Sequence, residues 1–201
     1  MYVRTHSRAP ESTHNLLRWR NALFACFVVF GLSLASWVTR TPAIRDAVGA
    51  TTAQMGLLLL GLSIGSMTGV LLAGSLVLRR GGRPVAMSGC LSVALGMTAI
   101  TAGSGLGSAP TIFVGLMLFG LGMGLTEIAL NIEGAAVEKK LGRSVLPMMH
   151  GCFSLGTVLG AVGGIAATGF DIAPELHLAV VTSVGIALFL WALPRIPAGT
   201  G

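Results

Sequence analysis

Residues 110–132 read PTIFVGLMLFGLGMGLTEIALNI, an apolar run holding one acidic residue and no base. Crossing the ~30 Å hydrocarbon layer of a bilayer takes about 20 mostly apolar residues in a helix. The run is continuous and lacks the period of two that a membrane β-strand requires. It therefore predicts a spanning helix with a carboxylate, Glu127, inside it. Moving outward along the chain, five more such runs lie near 20–39, 54–78, 84–103, 145–169 and 175–194. Helix breakers punctuate them: Pro42, Gly81-Gly82-Arg83-Pro84, Gly103 to Pro110, Gly142, and Asp171 to Pro174. The fold class is an all-α membrane protein. A tail (1–18) leads into a six-helix transmembrane domain (19–194), and a short tail (195–201) follows.

Composition supports the same class. Only 10% of the 201 residues are charged, 53% are apolar, and mean hydropathy is +0.83. Soluble domains carry roughly a quarter charged residues, so much of this surface must face lipid. The bilayer is thus the first expected partner. The net charge of +6 is placed asymmetrically. Arg4, Arg8, Arg18, Arg20, Arg79, Arg80, Arg83, Lys139, Lys140, Arg143 and Arg195 flank the spans on one side, while only Arg40 and Arg45 flank the other. Positive residues stay inside, which predicts both termini in the cytoplasm of a bacterial inner-membrane protein and leaves no role in nucleic-acid binding. Trp19, Trp37 and Trp191 fall at span ends, where an interfacial belt is expected. Cys26, Cys90 and Cys152 lie singly in apolar runs, with neither disulfide nor metal spacing. The first run lacks a signal-peptide cleavage pattern at its exit.

Three spans carry polar stripes that lipid would not tolerate. At ~100° per residue, Ser33, Ser36, Trp37 and Arg40 share one side of the first helix. Gly120, Gly124, Glu127 and Asn131 share a sector of the fourth. His150, Ser154 and Thr157 align on the fifth, and Gly156, Gly160 and Gly163 form a separate small-residue face. Glycines in the second span, Gly61, Gly65 and Gly69, allow close helix approach. A charged residue kept in a span costs about 2.5–3.5 kcal/mol, so Glu127 is expected to protonate, pair or line a pathway. It and His150 lie at one level, ~9 Å from the midplane by helical rise, which suggests a hydrogen bond between them. The substrate or proton pathway is therefore expected to comprise Glu127, Asn131, His150, Ser154, Thr157, Ser33, Ser36 and Trp37. Glu133, Glu138, Lys139 and Lys140 read as an interfacial charge cluster.

The loop between the second and third spans, Gly74-Ser-Leu-Val-Leu-Arg-Arg-Gly-Gly-Arg83, resembles the Gly-x-Leu-x-Asp-Arg-x-Gly-Arg-Arg signature of the major facilitator superfamily. The acidic position is Leu78 here. Glu127-Ile-Ala-Leu-Asn131 is similar to the Glu-x-Ala-x-Asn stretch of fucose-permease-like bacterial members, whose first-helix aspartate has no counterpart in this chain. The resemblance runs from residue 18 onward. It implies an N-terminal six-helix half built as a 3+3 inverted repeat, with a cytoplasmic gate loop at Gly74, Arg79, Gly81 and Arg83. It further implies alternating-access transport of a small-molecule substrate, with the proton as coupling ion, no other cofactor and no covalent chemistry.

A second six-helix half is then an expected partner, either as a missing C-terminal half of a longer product or as a second copy in a homodimer. Efflux of amphipathic compounds and a truncated, non-transporting fragment are the alternatives. An intramembrane serine protease would need a nucleophile in a Gly-x-Ser loop, where Cys152 follows Gly151 instead.

Overall fold

The computed structural model describes residues 12–198; Arg4 and Arg8 of the basic tail, and residues 199–201, lie outside this range. Six helices follow in order: α1 (Thr13–Ala47), α2 (Thr52–Arg80), α3 (Gly82–Gly105), α4 (Ala109–Leu141), α5 (Leu146–Gly169) and α6 (Pro174–Ala192), then a 3-10 turn over Leu193–Arg195. All six are long and apolar enough to cross a membrane, and no strand occurs among the described residues. Several helices outrun the apolar stretches that announce them. At 1.5 Å per residue, α1 measures ~52 Å against ~30 Å of hydrocarbon, so its charged ends, Arg18 and Arg45, continue the helix into the interfaces.

Local chemistry sets the boundaries. Ser12, Thr51 and Ser108 accept from amides of the first turns of α1, α2 and α4, and Gln54 returns the bond to Thr51. Gly81 alone joins α2 to α3 at φ 84°, a left-handed backbone that favours glycine. The N-terminus of α5 lacks a cap from its own flanking residue. Glu138 of α4 supplies one, its carboxylate accepting from the amides of Val145 (2.6 Å) and Leu146 (3.1 Å).

The bundle is assembled through glycine. Gly61, Gly65 and Gly69 of α2 lie against the main chain of α4, while Gly120 and Gly124 of α4 lie against α2. The same reciprocal contact joins Gly156 and Gly160 of α5 to α1, and Gly31 of α1 to α5. A methyl added to Gly160 would stand 3.1 Å from the Ser36 amide nitrogen. Gly164, not Gly163, completes this face, because the contact advances by fours along the helix and Gly163 turns toward His177. Alongside α2–α4 and α1–α5, the other main pairings are α3–α4 and α1–α6. The pattern is preserved when α1–α3 are exchanged for α4–α6. Three spans separate the equivalent helices, so the two repeats are inverted in the membrane.

Burial corrects the expected aromatic belt. Trp19 (1% exposed) and Trp37 (2%) are packed inside, and only Trp191 (43%) is exposed. The reason is the position of α1, which α4, α5 and α6 all cover. At the opposite end from the arginine-rich loops, Arg40 donates to the Thr168 hydroxyl at 2.6 Å and to the Ile172 carbonyl, tying α1 to the end of α5. Ser104 of α3 donates to the Glu175 carboxylate of α6 at 2.5 Å.

Candidate functional site

Because α4 scarcely touches α5, a crevice of about 310 Å³ opens between α1, α2, α4 and α5. Its polar groups are Glu127, His150 and Ser66, and four phenylalanines, Phe27, Phe30, Phe119 and Phe153, supply most of the remaining wall with Met123 and Leu34. Glu127 and His150 are both exposed. The expected hydrogen bond between them is absent. The imidazole meets the ring of Phe27 edge-on instead, with centroids 5.5 Å apart and planes at 86°. The gap between their parent helices leaves the two groups on one crevice without joining them.

The other expected pathway residues lie elsewhere. Asn131 is half-buried one turn beyond Glu127 and does not line the crevice. Ser154 donates to the His150 carbonyl (3.1 Å) and Thr157 to the Ser154 carbonyl (2.7 Å), so both hydroxyls are absorbed by their own helix. Ser33 (2% exposed), Ser36 (0%) and Trp37 (2%) form the buried face of α1. The close contact of Gly156 and Gly160 with α1 rotates this stripe into protein and away from the crevice. Ser66 and the phenylalanines were not legible as wall residues, since a hydroxyl or ring in a span says nothing of its facing until the helix is docked.

At the gate loop, Gly74 and Arg79 are exposed, Gly81 makes the turn, and Arg83 enters the first turn of α3. Leu78, at the usual acidic position, is 83% exposed. An acid does reach this loop from α4. Glu133 is fully buried, and its carboxylate occupies the space that a side chain on Gly82 would need. Of the four charges at this end of α4, Glu133 is the buried one, while Lys139 and Lys140 are exposed. The spacing carried the clue: Gly122, Thr126, Ala129, Leu130, Glu133 and Val137 follow one helical face, and all are buried.

No family model matches the chain. Three curated relatives do. An uncharacterised transporter of the major facilitator type from Yersinia pestis is 31% identical over 175 residues, covering 87% of this chain and 45% of the relative. An uncharacterised transporter from Sinorhizobium fredii is 35% identical over 178 residues, with 85% and 44% covered. The membrane protein MosC of Rhizobium meliloti is 26% identical over 171 residues, with 85% and 40% covered. The chain spans under half the length of each. Among solved structures, the nucleoside transporter NupG superposes with a TM-score of 0.65 at 15% identity, covering 94% of this chain and 45% of that one. The chain therefore has the fold of one six-helix half of a major facilitator transporter and is similar, over most of its length, to membrane transporters of that kind.

Proposed function

We propose that the chain carries a small solute across the bacterial inner membrane by alternating access, coupled to protons, as the N-terminal half of a twelve-helix transporter. The observation that carries this reading is the crevice itself, in which an exposed carboxylate and an imidazole stand among four phenylalanines. An ionisable residue kept within a spanning helix marks a substrate or ion pathway, and Glu127 is the group of this wall that would carry the proton. A second half, whether separately supplied or a second copy, would close the open side, and a rocking motion of the two would expose the crevice to each face in turn.

The aromatic wall also favours a second reading, efflux of amphipathic cations. Phenylalanine faces and one carboxylate both attract positive charge, and the rings accommodate an apolar body. Ethidium retention in cells separates the two directions: efflux lowers it when the chain is expressed with its second half.

The access mechanism is tested without knowing the substrate. Ser66→Cys, in a variant whose three native cysteines are serine, is treated with a membrane-impermeant maleimide in right-side-out and inside-out vesicles. Labelling from both faces is expected. Labelling from a single face, or from neither, contradicts alternating access and leaves a static membrane fragment.

A further inference from the structure

At the arginine-rich end of the bundle, away from the crevice, the starts of α1 and α3 and the turn after α6 enclose a second cavity of about 330 Å³. Asn15 and Arg18 of α1, Arg83 of α3 and Arg195 line it together with Trp19, and no carboxylate is among its lining residues. Two of these groups bury a donor with no acceptor among the described residues: the Trp19 indole N–H, in a side chain 1% exposed, and the Arg83 Nε–H. The Lys140 ammonium adds charge, 5.2 Å above the Trp19 ring. Arg195 also donates to the Trp191 carbonyl and stacks over its ring, whereas the Trp19 and Arg83 N–H groups find no acceptor among the described residues. Buried N–H groups are rarely left so. An anion with several acceptor oxygens, as a phosphate has, would satisfy both N–H groups at once and suit the surrounding guanidiniums.

An adjoining feature identifies what bears that phosphate. An apolar groove of about 470 Å³ runs between α3 and α6, walled by Met87, Leu91, Leu95, Ile186, Leu190 and Leu193. It begins where the polar cavity stops. Met87 is one turn beyond Arg83, and Leu193 immediately precedes Pro194 of the cavity. From Met87 to Thr98 the groove follows α3 for ~16 Å, about half the ~30 Å hydrocarbon thickness and hence the depth of one leaflet. A free anion has no use for such a groove, whereas an acyl chain does. We propose that these two cavities form one site for an acidic phospholipid, its phosphate among Arg18, Arg83 and Arg195 and one acyl chain between α3 and α6. Basic pockets at the cytoplasmic ends of helices suit anionic headgroups.

The test uses the purified full chain, stripped of endogenous lipid in detergent. Dioleoylphosphatidylglycerol or dioleoylphosphatidylcholine is added at equal concentration, and retained adducts are counted by native mass spectrometry. Wild type should favour phosphatidylglycerol. The double variant Arg18→Gln/Arg195→Gln should lower that preference roughly thirtyfold, the weight of two arginines near a negative surface. Ala94→Trp, which fills the groove and leaves the arginines in place, should weaken phosphatidylglycerol retention by itself, so the proposal stays open to refutation if the double variant misfolds. Equal retention of the two lipids by wild type would overturn the site. Unchanged retention in Ala94→Trp, or displacement of phosphatidylglycerol by inorganic phosphate at matching concentration, would reduce it to a free-anion cluster and overturn the lipid assignment.

Discussion

Glu127 and Glu133 stand six residues apart on one helix and meet opposite fates. Glu127 opens into the crevice, while Glu133 is sealed against the loop at Gly82. The difference is rotation: six residues turn a helix by ~600°, which leaves the two side chains about 120° apart. If Glu127 is the protonating group, its charge should set which face of the crevice is open. The maleimide labelling rate at Ser66→Cys, divided by that at Ser144→Cys in the exposed α4–α5 loop to remove thiol chemistry, should change several-fold with pH. Adding Glu127→Gln should flatten the profile, and a profile that keeps its slope would exonerate Glu127. Arg40 has a structural task. Its guanidinium spans from α1 to Thr168 and Ile172, and it is 4% exposed. Arg40→Met should cost about 1.5–3 kcal/mol, the usual weight of hydrogen bonds to a charged group, read as a lower unfolding midpoint in detergent.

At the scale of the element, glycine decides which helices pair. Gly65 of α2 and Gly160 of α5 occupy equivalent places in the two repeats, each pressed on a neighbouring main chain. Valine at Gly160 must push α5 from α1, and overpacking of this sort costs about 1–3 kcal/mol. Gly56, also helical, has open space where its Cβ would be. Gly56→Ala should instead add about 0.5–1 kcal/mol by restricting the unfolded chain. Detergent unfolding of the two variants side by side checks both signs, and equal effects would mean that the glycine contacts do not hold the bundle together. The spacing of these glycines was readable in advance, although the interface residue after Gly160 proved to be Gly164. An angular plot alone does not separate neighbouring residues at the margin of a face; the register of the docked partner does.

For the whole molecule, the arginine distribution and the inverted repeat make a joint prediction about orientation. A green fluorescent protein fused after Arg195 should fluoresce, and alkaline phosphatase at the same point should be inactive, if the positive-inside rule holds that end in the cytoplasm. The opposite result would invert the molecule and move the basic cavity to the external leaflet. The crevice and the groove also lie on different faces of the fold. The crevice between α1, α2, α4 and α5 faces the open side of the half, whereas the groove between α3 and α6 lies on its outer flank. The proposed solute and lipid sites would thereby lie on different surfaces of one bundle.

Six spanning helices, their approximate limits and the presence of an acid within the fourth were all legible in the chain, because hydropathy and helix breaking are local properties that need no partner. The resemblance at Gly74–Arg83 likewise pointed to the fold that the structure has. What tertiary structure alone decided was facing. Ser33, Ser36 and Trp37 carry the polarity of a pathway yet are buried under α5, and Phe27, Phe119 and Phe153 look like ordinary core yet wall the crevice. A helix fixes the angles between its own side chains, but its rotation about its axis is set by the close contacts it makes, here at Gly31, Gly65, Gly124 and Gly160. Those contacts join residues far apart in the chain, and the arrangement of polar groups follows from them.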